Sequence, residues 1–496
     1  MSQRRTIIVL LALVISLTLV AKMASATGAS SDLSSWTEKL ESSDPRERAE
    51  AACEIGHSGA ASPEVTRRLV TLLADDAPVA PSGGCAHVNF RGDDFVMDAT
   101  SPGREAAYAL AEMGESSMPP LIDAVASAKP AVRRNAVLAL GESGDPRGVP
   151  LLLGAVKDSD ASVRRVATDA LADTQDPKAL GAILPLLSDR DATVKAAAAG
   201  ALAQFPDRRT VQPLIAALSD SEPRVREAAA GSLAESEDVT AISALIRAAR
   251  DPHWSVRAAA VEALAKFEDS RVVAALAEAV KDDHWKVREA AVEALGEIQS
   301  SAGIEALLGS LSDPHGGVRE AATHALGNLG DARAIDPLIR GLKDSDWRVR
   351  EAAASGLSEL ENTRAVPPLL AALDDPRWSV RQTAAEALGS LGDSRALDAL
   401  VRKISDDHWG VRQAAVEALG QLQDARSTEP LSIALKDSHP DVREAAVQAL
   451  GEIGDPGAAT ALRAALKDTS SRVREAAQQT LKDLEEREKN EPDEDD

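Results

Sequence analysis

Aromatic residues are nearly missing from this 496-residue chain, at 2% of the composition, with one Tyr and four Phe beside six Trp. A core closed by bulky rings is thereby excluded. What remains to build one is Ala, Leu and Val, whose small side chains suit close helix–helix packing. Basic residues are outnumbered too, 55 Lys and Arg against 79 Asp and Glu, for a formal net charge of −24. That balance argues against nucleic-acid binding, which needs basic patches to neutralise phosphates. It fits a soluble protein that prefers cationic partners. The common catalytic signatures are absent: there is no Gly-rich phosphate loop, no H-E-x-x-H and no G-x-S-x-G. Neither a catalytic residue nor a bound cofactor is expected.

The one long apolar run stands at the N-terminus. Arg4 and Arg5 precede "TIIVLLALVISLTLVA", and Ala24-Ser25-Ala26 supplies a small-x-small cleavage signal. Residues 1–26 therefore read as a secretory signal peptide cut after Ala26, leaving an exported, periplasmic or extracellular protein with no membrane span. Cleavage removes Arg4, Arg5 and Lys22 and no acid, so the mature chain is more acidic still. The alternative is an uncleaved signal anchor that tethers the protein to a membrane. Only two cysteines occur, Cys53 and Cys85. In an exported chain such a pair is expected as a disulfide, worth about 3–4 kcal/mol by loop-closure entropy. Two unrelated thiols are the alternative.

Length on this scale calls for several domains or one array, and self-similarity decides between them. Leu140, Leu171, Leu202 and their successors to Leu481 recur every 31 residues without exception. Val132 to Val473 keep the same step, and a base follows each Val, Lys195 being the only one that is not Arg. Within one unit, "ARAIDPLIRGLKD" spaces Ile335, Leu338, Ile339 and Leu342 as a helix, and "DSDWRVREAAASGLSEL" lays Val349, Ala353 and Leu357 on one face of a second helix. Gly330 and Gly392 supply left-handed helix ends between units. Each unit is thus a helical hairpin that buries its apolar stripe only against its neighbours. The expected fold class is all-α, an α-solenoid.

The array is expected over residues 102–486. Residues 27–75 read as a degenerate capping repeat. Residues 76–101, rich in Pro, Gly and polar groups, read as an irregular insertion, functional or tied down by the disulfide. Ser101 caps the helix that restarts the pattern, with Pro102 at its first position. Residues 487–496 read as an acidic, disordered tail. Cys85, His87, Asp93 and Asp94 of the insertion, near His57 and Cys53, are the only place where a metal or redox site is conceivable; a pinned cover is the favoured reading.

Three residue types recur in the turn between the helices. Asp stands three positions before a variable slot, often followed by Pro, and reads as a helix start. The Arg six residues later can reach an Asp of its own or a neighbouring unit. The pairs Asp251 and Arg257, Asp282 and Arg288, Asp344 and Arg350, Asp375 and Arg381, and Asp406 and Arg412 form this structural ladder. The variable slot holds Trp254, Trp285, Trp347, Trp378 and Trp409, five of the six tryptophans, interrupted by Gly316 and followed by Pro440 and Ser471. His253, His284, His315, His408 and His439 each precede that slot. Neighbouring helices pack about 8–10 Å apart, too far for these histidines to share a metal, so they read as solvated turn residues and no metal site is expected.

Hairpins that carry "D-P-x-W-x-V-R-x-A-A-x-x-A-L-G", with a Pro in the first helix, resemble HEAT repeats. Their 31-residue length is similar to the HEAT-like subtype named after phycobilisome lyases. The resemblance covers residues 102–486, more weakly 31–75, and speaks to fold far more than to function. It implies that the second helices line a concave face with the Trp slot exposed there. Positions one helical face further along would join it, namely Glu289, Glu293, Glu351, Glu386 and Glu417. Trp rows suit recognition, and Glu beside them suits a cationic ligand. The other reading is that each Trp staples neighbouring hairpins. The expected function is an exported, non-enzymatic scaffold that binds a partner protein or peptide of cationic character. An enzyme or lyase-like accessory protein and a purely structural envelope component are the alternatives. Relatives that attach bilins act in the cytoplasm of pigmented cells, which suits an exported chain poorly.

Overall fold

The computed structural model describes residues 29–80, 88–91, 94–97, 100–174 and 176–490; the expected signal peptide and the last six residues of the acidic tail lie outside them. The chain divides into two compact units, residues 1–244 and 245–496. Both are α-solenoid segments.

In the second unit each repeat has a short A helix and a longer B helix. Ile335–Gly341 and Trp347–Glu359 are one such pair. A 3-10 turn, Ala332–Ala334, leads into the A helix because the Asp331 carboxylate accepts from the Arg333 amide at 2.8 Å and holds that turn. Ile335 and Leu338 of the A helix, Leu342 just past its end, and Val349, Ala353 and Leu357 of the B helix are all buried. The alanines matter because B helices of adjacent repeats approach closely. A Cβ placed on Gly327 would stand 2.6 Å from the Gly356 Cα, and one on Gly389 would stand 2.7 Å from the Ala418 Cα. Bulkier residues at this seam would force the stack apart.

The B helices from Trp285–Ile298 to Pro440–Ile453 are followed by a left-handed residue. Gly330, Gly392 and Gly454 take φ of 66°, 63° and 72°, but the same slot holds Gln299, Glu361 and Gln423 at 51°, 47° and 50°. A side chain there costs about 1 kcal/mol that glycine does not. Changing Gln299, Glu361 and Gln423 together to Gly should therefore stabilise the second unit by about 3 kcal/mol, read as a higher denaturation midpoint in urea.

The first unit opens with the hairpin Ala29–Lys39 and Pro45–Ser58. The next helix, Pro63–Leu72, packs on Pro102–Glu112 as an A helix packs on its B helix. The insertion thus interrupts a repeat, where a break between a cap at 27–75 and the array was expected. Nor is it irregular throughout. Val79 and Thr100 exchange backbone hydrogen bonds of 2.9 and 3.0 Å and close its base. Val88–Arg91 and Asp94–Met97 form an antiparallel hairpin with Val88 opposite Met97. Ser101 caps the following helix and Pro102 takes its first position. Cys53 is disulfide-bonded; Cys85, the only other cysteine, lies outside the described residues. The final helix, Ser471–Asn490, runs past residue 486 into the expected tail.

Candidate functional site

The turn between A and B helices is held by an arginine clamp. Arg257 directs Nε and Nη2 to the two oxygens of Asp282, both at 2.7 Å, and Asp282 belongs to the next repeat. Its third nitrogen, Nη1, donates back to the Asp251 carbonyl at 2.9 Å. Arg288 does the same with Asp313 and the Asp282 carbonyl, Arg350 with Asp375 and the Asp344 carbonyl. Arg381 pairs with Asp406, and Arg412 with Asp437. Asp344 receives Arg319 at 2.7 Å. The first unit repeats the device with Arg133–Asp158 and Arg164–Asp189, and with Lys195 on Asp220, where the fork is lost. Burial alone would raise the Asp313 carboxyl. The Arg288 fork and the His315 amide outweigh it and hold the carboxyl below the usual aspartate value.

These aspartates do not start the helix, contrary to the expectation from Asp-Pro. Asp251 Oδ1 accepts from the His253 amide at 2.8 Å, two residues on, and makes a turn ahead of the helix. The helix itself begins at the Trp slot, and the residue just before that slot is the N-cap. Asp346 caps in the usual way through a carboxylate. His284, His408 and His439 cap with Nδ1, which accepts backbone N–H groups at 3.3, 3.2 and 3.3 Å. An accepting Nδ1 places the imidazole proton on Nε2.

The same histidines are not solvated turn residues, because each ring lies on the Trp of the preceding repeat. Trp254 stacks on His284 with centroids 4.2 Å apart, Trp285 on His315 at 4.0 Å, Trp378 on His408 at 4.0 Å and Trp409 on His439 at 4.2 Å, all within 19° of parallel. Trp347 finds Arg377 instead, its guanidinium 4.3 Å from the ring centroid. The row breaks at Gly316, where the Asp346 carboxylate lies over the glycine. Each indole therefore joins two repeats, yet Trp347, Trp378 and Trp409 keep 37, 39 and 41% of their surface in solvent. Sequence reasoning missed the histidine and Arg377 as the partners. The available signal was the 31-residue recurrence of His beside Trp, with His284, His315, His408 and His439 each serving the Trp of the unit before it; His253, whose preceding slot holds Pro223, stays exposed.

Along the B helices beyond the indoles lies a row of carboxylates, one per repeat. Glu351 is in Trp347–Glu359, Glu386 in Trp378–Ser390, Glu417 in Trp409–Gln421 and Glu452 in Pro440–Ile453. The partners of the first three are neutral: Ser379 Oγ donates to Glu351 at 2.6 Å, Gln382 to Glu386 and Gln413 to Glu417 at 2.8 Å. Glu386 remains exposed, but the surrounding chain displaces part of its solvent; that loss first, and then the charges of Glu417 and Glu351, raise its carboxyl above the usual value. Shielding and the charge of Glu417 raise Glu452 likewise. Of the other two expected carboxylates, Glu289 lies half-buried against Gly317 and Glu293 is exposed.

A raised carboxyl in the folded state costs stability once it ionises. That cost is absent at low pH and sets in as pH rises through the folded value. Glu386→Gln should therefore stabilise the unit by about 0.3 kcal/mol at neutral pH, the size of an exposed like-charge pair, and by nothing in acid. Thermal melts at the two pH values check this.

In the first unit a cleft of about 450 Å³ is lined by Cys53, His57, Glu105, Tyr108, Glu112 and Glu142 among others. No group of three or more His, Cys, Asp or Glu with metal-holding geometry occurs among the described residues. Cys85, His87 and Asp93 lie outside those residues.

Comparison with known proteins agrees with the hairpin architecture. The family profile described as HEAT repeats matches in overlapping segments that run from residue 103 to residue 482. No curated protein matches the chain in sequence. Among solved structures, Kap95p bound to RanGDP aligns at a TM-score of 0.66 and 16% identity, covering 91% of this chain and 72% of that one. Kap95 in complex with Nup1 aligns at 0.56 and 16%, over 92% and 70%. At these identities the likeness is one of fold. The CpcE–CpcF phycocyanin lyase of Nostoc sp. PCC7120 shares 26% identity over 43% of this chain and 94% of that one, at a TM-score of 0.31.

Proposed function

We propose, from the premise that the chain belongs to the HEAT-repeat family, that it is an exported, non-enzymatic scaffold. It holds a partner protein or peptide of cationic character on the B-helix face of the second unit. A HEAT solenoid is suited to protein–protein interaction because stacked repeats present a long, regular surface. Kap95, of the same fold, is seen with RanGDP and with Nup1, an analogy of architecture alone. The observation that carries the cationic reading is the Glu351, Glu386, Glu417 and Glu452 row. Glu351, Glu386 and Glu417 are bonded to neutral groups, and Glu386 and Glu452 are raised by loss of solvent and by the charges of their neighbours in the row, whereas the clamp aspartates of the same repeats are matched to bases. A cation brought by a partner would relieve that repulsion. Residues 1–26 support export, and no helix among the described residues is long and apolar enough to cross a membrane.

The test is a paired capture from the envelope fraction of the source cells. One bait is the mature chain and the other carries Glu351→Gln, Glu386→Gln and Glu417→Gln. The reading expects one partner enriched on the first bait and lost from the second. Equal capture would remove the acidic face from the account. N-terminal sequencing of the native protein decides export: a start at Thr27 supports cleavage, and an intact N-terminus in the membrane fraction supports the anchor.

A further inference from the structure

We propose that the B-helix face of the Trp347, Trp378 and Trp409 repeats takes an extended basic segment whose Lys or Arg residues recur every third position. This rests on the scaffold reading above and gives its partner a sequence pattern. Three features of the face fix that pattern.

The first is its period. Each of the three repeats contributes one indole with roughly two fifths of its surface exposed and one carboxylate further down the same helix. Helices in contact lie about 8–10 Å apart, so that is the step from one indole-carboxylate notch to the next. An extended chain in the polyproline conformation advances about 9 Å in three residues, and those three complete one turn. Every third side chain then points the same way at the spacing of the repeats. A period of two or four falls out of step after a single repeat.

The second feature is the distance from indole to carboxylate. Glu351 follows Trp347 by four residues, while Glu386 and Glu417 follow Trp378 and Trp409 by eight, about 6–12 Å along the helix. A long aliphatic stem laid on the exposed indole rim, with its charge at the far end, spans that distance. Short polar side chains do not. The inner faces of Trp378 and Trp409 are already taken by His408 and His439, so the contact is stem on rim rather than cation on ring.

The third is that the face offers the carboxylates no base of its own. The positions four, eight and twelve residues after each of these three tryptophans are Glu351, Ser355 and Glu359, then Gln382, Glu386 and Ser390, then Gln413, Glu417 and Gln421. Among the described residues, Glu351, Glu386 and Glu417 form no salt bridge within the protein, while the Arg377 guanidinium is engaged on Trp347. Charge on the incoming segment completes a set that the fold leaves open.

The experiment titrates the mature full-length protein with synthetic Gly/Ser peptides of equal length and equal Arg count, the Arg placed every second, third or fourth residue. Binding is read by calorimetry and by indole fluorescence. The expected result is that the third-residue peptide binds at least about tenfold tighter than the other two and shifts the fluorescence. The Glu351→Gln, Glu386→Gln, Glu417→Gln variant should weaken it about tenfold, as three exposed ion pairs would. Equal binding of all three peptides, or binding unaffected by the variant, overturns the register. So does binding by none. These outcomes are separate from the envelope capture: a partner captured through the acidic face while no peptide discriminates would leave the scaffold reading standing and sink this one.

Discussion

Replacing Arg350 with Ala lowers the stability of the second unit by about 3–5 kcal/mol, the cost of leaving a sequestered partner charge unmatched. Arg350 and Asp375 keep only 13 and 9% of their side-chain surface in solvent. The substitution strips both guanidinium bonds from Asp375, leaving the one from the Arg377 amide, and also frees the Asp344 carbonyl, which Arg350 Nη1 holds at 2.9 Å. Stability in a repeat array is a sum of unit and interface terms, so this loss falls on one interface and opens the stack there. Arg350→Lys should cost less, about 1–2 kcal/mol, because a lysine keeps the charge without the fork; Lys195 on Asp220 is the natural instance. The pH dependence has a definite sign. Burial works to raise the Asp375 carboxyl, but Arg350 and the Arg377 amide more than offset it, and the group sits below the usual aspartate value. Its contribution is fully present above the unfolded value and is lost as pH falls through the folded one. Denaturant melts at neutral and acidic pH check both statements: the difference between wild type and Arg350→Ala should shrink in acid.

The second large effect comes from the aromatic row. Trp378→Ala removes a stacked pair worth about 0.5–1.5 kcal/mol and the burial of more than half an indole, for a total of about 2–3 kcal/mol. Changing Trp254, Trp285, Trp347, Trp378 and Trp409 together to Ala removes four His stacks and one Arg stack, about 10 kcal/mol in all, comparable with the whole stability of a domain. That variant should melt far below the wild type or fail to fold. Trp378→Phe, which keeps a ring over His408, should lose only about 1 kcal/mol. Differential scanning calorimetry of the three variants measures this directly. A melting temperature unchanged in Trp378→Ala would show that the stack contributes nothing. The consequence for function is practical: binding lost from an all-alanine variant would report unfolding as readily as a missing contact. The glutamate row, whose removal is expected to stabilise, is the cleaner handle.

Much of this was legible in the sequence because a tandem array repeats its own evidence. Val349, Ala353 and Leu357 recur with one period and are buried together, and the Asp–Arg ladder was visible as two constant letters at fixed offset. What the offset could not say is that the bond runs forward to the next repeat while the third nitrogen runs back to the turn. The helix start was misplaced for a related reason. The constant residue, Asp251 or Asp375, shapes the turn, while the cap position varies among His, Asp and Arg, and the His that recurs there is not among the residue types that ordinarily mark a helix start. Stacking of Trp378 on His408 joins residues 30 apart through tertiary packing, which helical periodicity does not encode. The hairpin in the insertion was hidden by its Pro and Gly content, which reads as loop.

The central claim is that the B-helix face of the second unit holds the partner. The most direct test places a photoreactive amino acid at Gln413, on that face, or at Ile433, an exposed residue of the A helix Thr428–Ala434, in the full-length protein in its source cells. Irradiation should give one discrete protein adduct from position 413 and none from 433. An adduct from 433 alone, or none from 413 in a protein that still melts as wild type, would contradict the account.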